Sequence, residues 1–86
     1  MVIGTDPKTI ANVPDAVCDG TCFFLKTTSG DEAYISFKGV QPSAVDHHII
    51  LTDDIPAIEL PGIIPGLIQA RGSVSTTAID SFVAYS

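Results

Sequence analysis

The sequence predicts an all-β protein: a small antiparallel β-sandwich or jelly-roll-like barrel with an extended N-terminal arm. Three observations predict it. Turn residues punctuate the chain at intervals of about eight to twelve positions, the rhythm of a sandwich or barrel. The segments between them are short, rich in aromatic and β-branched residues, and alternate apolar with polar side chains. The stretch from Gly66 to Ser86 keeps that alternation to its last residues, and a chain end that is itself a strand is ordered only when it is paired or packed. No heptad pattern and no internal repeat competes with this reading.

Composition sets the scale. A chain of 86 residues is one domain, near the size at which a single core holds a fold narrowly and self-association or cross-links contribute. Hydrophobic residues make up 45% of it and charged residues 16%, against about 25% charged in an ordinary soluble protein. Extensive buried surface is therefore expected. Lys8, Lys26, Lys38 and Arg71 face ten acidic residues, for a net charge of −6, and without a basic patch to neutralise a row of phosphates no nucleic-acid partner is expected. No run approaches the roughly 20 apolar residues of a membrane-spanning helix, and the opening residues lack the basic and apolar regions of a secretion signal. No membrane partner is expected, and the chain is expected to work inside the cell or as part of a larger assembly.

Residues 1–20 carry Gly4, Pro7, Pro14 and Gly20 among short apolar pieces, and form the expected arm; residues 21–86 form the expected sandwich domain. Asp6-Pro7 begins like a capped helical turn, which Asn12, Val13 and Pro14 stop within two turns. Thr21–Thr28 and Glu32–Lys38 read as strands joined by the turn cluster Ser29-Gly30-Asp31, the best hairpin of the chain. Gly39–Asp46 is a loop. His47–Thr52 and Ile55–Leu60 are short strands divided by Asp53-Asp54, and Pro56 makes the second an edge strand or one that starts late. Pro61-Gly62 and Pro65-Gly66 are turn signals around Ile63-Ile64. Gly66–Arg71 and Val74–Tyr85 are expected to pair through Gly72-Ser73. The expected core is Phe23, Leu25, Ile35, Phe37, Ile50, Ile58, Leu60, Ile68, Ile79 and Val83.

Residues able to carry chemistry are present without the arrangement that chemistry needs. Cys18 and Cys22 suggest zinc with His47-His48, but structural zinc sites usually present two ligand pairs, and adjacent histidines on a strand point to opposite faces. A disulfide across Asp19-Gly20 requires the two Cα atoms within about 7 Å; otherwise the cysteines are small apolar packing residues. No motif resembles a nucleophile elbow, and Ser73–Thr77 reads as strand hydroxyls. Asp53-Asp54 offers far fewer than the six to eight oxygens that calcium takes. Gly62, Gly66 and Gly72 stand beside Pro, Pro and Ser in tight turns, and no phosphate loop is present. The sequence therefore predicts no enzyme and no cofactor.

The order of segments suggests a family. Phe23-Phe24-Leu25, the strand Ala33-Tyr34-Ile35-Ser36-Phe37, Ile58-Glu59-Leu60-Pro61-Gly62, and Leu67–Ser73 leading into a Val/Thr-rich terminal strand resemble the small all-β virion proteins of tailed bacteriophages. Ser36 stands where those proteins carry a glycine. The resemblance covers about Cys22 to Tyr85 and implies a capsid decoration, minor head or fibre-base component, located in the virion after assembly in the host cytoplasm. It implies a homo-oligomer, a trimer, whose other partner is the major capsid protein or another virion protein.

Independently, strands with two apolar faces leave one face uncovered in a monomer. Phe24, Tyr34, Phe82 and Ala84 are the expected oligomer interface, an assignment the opposite register would invert, and Val2, Ile3, Ile10, Val13 and Val17 are the expected anchors of an arm that orders on a capsid or on a neighbouring subunit. The alternative is a small soluble binding module of the carbohydrate-binding or adhesin-like kind. Sugar recognition favours aromatic platforms, and this chain has no tryptophan and only Tyr34 and Tyr85.

Overall fold

The computed structural model describes residues 1–14, 19–62 and 66–85. Among the described residues, seven strands form two antiparallel sheets and there is no helix. The strands are β1 (Lys8–Val13), β2 (Gly20–Lys26), β3 (Ala33–Ser36), β4 (Ile49–Leu51), β5 (Ala57–Pro61), β6 (Gly66–Gly72) and β7 (Ile79–Tyr85). One sheet has the order β1-β6-β3-β4, the other β5-β2-β7. The result is a small β-sandwich, as the punctuation and alternation predict.

Pairing departs from the expected hairpins. β2 pairs with β5 and β7, and β3 with β4 and β6, so the two strands expected to form a hairpin lie in different sheets. Likewise β6 pairs with β1 and β3, and β7 with β2, so Gly72-Ser73 is not a hairpin turn between β6 and β7. Only β3 and β4 are neighbours both in sequence and in a sheet; every other connection crosses from one layer to the other. A five- or six-residue link is long enough to cross, and burial decides between crossing and folding back.

The core between the sheets is Phe24, Ile35, Leu51, Ile68 and Ile79, each fully buried, with Phe37, Cys22, Val13, Ile3 and the alanines 33 and 70 around them. Ile58, Leu60 and Val83 pack against this core partly buried. The expected core residues Phe23 and Leu25 are instead half-buried on the opposite face of β2, because Cys22, Phe24 and Lys26 turn inward. Four apolar residues in a row carry no parity, and a lysine at 26 reads as solvent-facing. Ile50 is 38% exposed, since its neighbours Ile49 and Leu51 take the inner positions of the three-residue β4.

The N-terminal segment is extended, but it is part of the sandwich. The Ile3 amide donates to the Thr77 carbonyl at 2.8 Å, the Ile79 amide donates to the Met1 carbonyl at 3.0 Å, and Val2 bridges Ala78. The chain then turns at Gly4 and enters β1, an edge strand on β6 with a bulge between Thr9 and Ala11. Ile3 and Val13 belong to the core and Ile10 packs against it, so these three expected docking anchors serve the protein's own interior. Val2 is exposed, and Val17 lies outside the described residues. Strand replaces the helical turn considered at Asp6-Pro7, because β1 starts at Lys8.

Gly72 is dictated by a close approach. A Cβ on Gly72 would lie 2.3 Å from the Thr77 Cβ and 2.9 Å from the Gly4 carbonyl oxygen, which itself accepts from the Gly72 amide at 2.7 Å. The end of β6, the turn at Gly4 and the approach to β7 are pressed together there.

Candidate interaction surface

The two sheets treat their outer faces differently. In the four-stranded sheet, Tyr34 and Ser36 point away from the core, yet both are buried. The segment from Lys38 to His48 covers them. Ser36 Oγ donates to the Val40 carbonyl, Pro42 is fully buried, and the His47 ring stacks on Tyr34 with centroids 5.4 Å apart. The segment bonds to itself as well, with the Ser43 amide 2.7 Å from the Asp46 carbonyl. Tyr34, expected at an oligomer interface, is thus 5% exposed beneath its own loop.

The three-stranded sheet has no such cover among the described residues. β-Strand alternation places Thr21, Phe23 and Leu25 on its outer face. Phe23 lies directly across from Phe82 on one side and Glu59 on the other, Leu25 between Asp80 and Ala57, and Thr21 between Ala84 and Pro61. Phe82 is 58% exposed. The face is apolar through its middle, with one carboxylate on each flank and no cation. A concavity of about 290 Å³, lined by Asp19, Gly20, Thr21, Ala84 and Tyr85, opens at its end. Of the expected interface residues, Phe82 and Ala84 lie on this uncovered face, whereas Phe24 is fully buried in the core. Phe23 and Leu25 take its place on the outer face. Their signal in the sequence is the unbroken apolar run Cys22–Leu25, which guarantees one large residue on each side.

The charged residues serve the fold. Lys26 Nζ lies 3.0 Å from Asp31 Oδ1 and 2.7 Å from Asp53 Oδ1, and also donates to the Thr28 carbonyl. The Thr28 hydroxyl donates to Asp31 at 2.6 Å, and the Gly30 amide to Asp53 at 2.9 Å. This cluster ties the β2–β3 crossing to the β4–β5 crossing. Burial favours neutral Lys26, but its bonds to Asp53 and Asp31 outweigh that and hold its pKa above the ordinary lysine value. Burial likewise pushes Asp31 upward, and the hydrogen bonds from Thr28 and Lys26 more than reverse it. The Lys26 and Gly30 bonds lower Asp53.

A second concavity, of about 310 Å³, lies beside the covering loop and is lined by Thr5, Tyr34, Ser43, Val45, Arg71 and Ser73 among others. The Tyr34 hydroxyl there donates to Glu32 at 3.1 Å; burial, then Glu32, raises its pKa. His47 and His48 precede β4, which is shorter than the strand expected over His47–Thr52, and they face different surroundings. His47 stacks on Tyr34, while His48 Nδ1 accepts from the Phe37 amide at 3.2 Å. Cys22 is a buried free thiol whose pKa burial raises; Cys18 lies outside the described residues. Among the described residues, no three His, Cys, Asp or Glu side chains come together in a group able to hold a metal ion.

Comparison with protein-family models, curated proteins and solved structures finds no match to this chain.

Proposed function

We propose that this protein is a structural subunit of a virion, a capsid decoration or minor head protein that associates with copies of itself and docks onto a capsid lattice. The observation that carries the reading is the bare apolar face of the three-stranded sheet, centred on the cross-strand pair Phe23 and Phe82. The chain covers Tyr34 and Ser36 on the outer face of its other sheet with a loop of its own, so an uncovered apolar face is a surface kept for a partner. Low overall charge and an acidic balance favour burial of that face against protein over binding to a polyanion. The resemblance to small virion proteins supplies the kind of assembly.

The sugar-binding alternative draws less support. A platform for a sugar ring needs exposed aromatic faces, and Tyr34 is buried, while Tyr85 and Phe82 point to opposite sides of β7. The test is sedimentation of the purified protein over a wide concentration range, alone and with purified capsids. Self-association and co-sedimentation with particles are expected. A protein that stays monomeric and ignores the particles overturns the proposal.

A further inference from the structure

Among the described residues the two sheets have four edges, and three of them carry devices that discourage pairing. β1 has the bulge between Thr9 and Ala11 and an exposed lysine at its start. β4 is three residues long. β5 is preceded by Pro56, ends at Pro61 and places Glu59 between them. β7 is seven residues long with neither bulge nor proline, and its only charged residue is Asp80. Its first residue is already taken, because Ile79 exchanges hydrogen bonds with Met1 through both its amide and its carbonyl.

Antiparallel alternation then fixes what remains. The groups of Ile79 point to the outer edge, so those of Ser81, Val83 and Tyr85 do too, while Asp80, Phe82 and Ala84 turn theirs toward β2. Among the described residues no hydrogen bond reaches the outer edge of Ser81, Val83 or Tyr85. The unpaired segment is five residues long and ends where β7 ends.

We infer that the outer edge of β7 pairs antiparallel with β7 of a second copy of this chain, about a two-fold axis at Val83. This deepens the self-association reading and rests on it, making a two-fold ladder the elementary contact in place of the three-fold assembly implied by the resemblance. The occupant is a second copy because the segment is self-complementary. In this register Val83 opposes Val83 of the second copy, Ser81 opposes Tyr85, and Phe82 opposes Ala84, so a large side chain meets a small one on both faces. Asp80 falls outside the five-residue overlap, so no like charges face each other. A register centred on Phe82 would instead set Tyr85 against Ile79, whose edge Met1 occupies. The ladder joins two three-stranded sheets into one of six strands, and the two Phe82 faces become one continuous apolar surface.

The experiment measures mass by sedimentation and amide exchange by nuclear magnetic resonance on the full chain, at dilute and at high concentration. The expected species has twice the chain mass. In it the Ser81, Val83 and Tyr85 amides slow by at least about tenfold relative to the dilute sample, while Asp80, Phe82 and Ala84 are protected in both. Val83→Pro removes an outward-facing amide that the edge of a sheet can spare, and should give a folded monomer; the exchange pattern decides the matter if that variant does not fold. An oligomer in which Ser81, Val83 and Tyr85 exchange as fast as in dilute solution overturns the ladder and leaves the self-association reading standing. A monomer at every concentration overturns both.

Discussion

The two sheets are built from similar strands and end in opposite conditions. In the four-stranded sheet the outward residues Tyr34 and Ser36 are sealed by the segment from Lys38 to His48. In the three-stranded sheet the outward residues Phe23, Leu25 and Phe82 have no cover among the described residues, although they are as apolar. A chain able to cover one face with a loop has the means to cover the other. Under the proposed function, the bare face and the edge beside it are the working surface and the covered sheet is the scaffold.

The sharpest way to break this comparison is a pair of phenylalanine replacements. Phe24 is fully buried between the sheets, whereas Phe82 stands exposed on the bare face. Phe24→Ala should lower unfolding free energy in urea by about 3–5 kcal/mol, a large part of the stability of a small domain. Phe82→Ala should cost the isolated monomer about 0.5 kcal/mol or less and act on self-association instead. Comparable losses of monomer stability at both positions would mean that Phe82 is packed in the monomer and the face is not bare.

Next in size is the cluster that anchors the crossings. Lys26→Met leaves Asp31, whose side chain is 3% exposed, without its cation, and should cost about 3 kcal/mol. The pH dependence has a definite sign. Asp31 and Asp53 have pKa values lowered by folding, so their contribution is present above the unfolded carboxylate value of about 3.9 and is lost as pH falls through the lower folded values. Lys26 is raised, so its contribution holds below the unfolded lysine value of about 10.4 and is lost as pH rises through the folded one. Urea melts at graded pH should show an acid loss that Lys26→Met reduces. A wild-type and variant pair with parallel acid profiles would remove the cluster from the account.

Smaller again is Gly72→Ala, which places a methyl against Thr77 and Gly4 and should cost about 1–3 kcal/mol through the shifts it forces. It would disturb the junction where β6, the N-terminal turn and the approach to β7 meet, and thermal unfolding followed by circular dichroism reads the loss. An unchanged midpoint would mean that the junction yields without strain.

Strand positions were more legible in the sequence than strand partners. The alternation in Gly66–Arg71 gives the burial of Ile68 and Ala70 directly, and Thr21–Thr28 contains β2 almost whole. Pairing was hidden because a turn-rich link such as Thr27–Glu32 suits a fold-back and a crossing equally, and the Lys26–Asp31 contact that accompanies the crossing is not visible in local propensity. Parity failed at Cys22–Leu25 for lack of polar residues, which exchanged Phe24 with Phe23 between the core and the outer face. That Phe82 and Ala84 share one face, with Asp80, and Ile79 and Val83 the other, with Ser81, was legible because the strand alternates without a break. The cover over Tyr34 was not, since nothing in Gly39–Asp46 taken alone states which surface a loop lies on. The place of residues 1–14 in the sandwich was hidden because Gly4, Pro7 and Pro14 break up the alternation, so Ile3 and Val13 read as anchors for a partner although they fold into the core.

The smallest effect tests the scaffold side of the comparison alone. The loop that covers the four-stranded sheet starts at a tight turn, with the Val40 amide donating to the Phe37 carbonyl at 3.2 Å and both central residues left-handed, Lys38 at φ 59° and Gly39 at φ 78°. That is a type I′ turn, whose first central position suits asparagine better than lysine. The Gly39 amide pins the turn to β6 through the Leu67 carbonyl at 3.1 Å, so the conformation is held whatever the side chain. Lys38→Asn keeps the backbone, relieves part of the cost of a left-handed lysine, and should raise stability by about 0.5 kcal/mol. Because this turn belongs to the covered sheet, the change should leave the self-association constant untouched. Denaturant titration together with sedimentation of the same variant measures both quantities, and a shift in association with no gain in stability would show that the covering loop, and not the bare sheet, is the surface where copies meet.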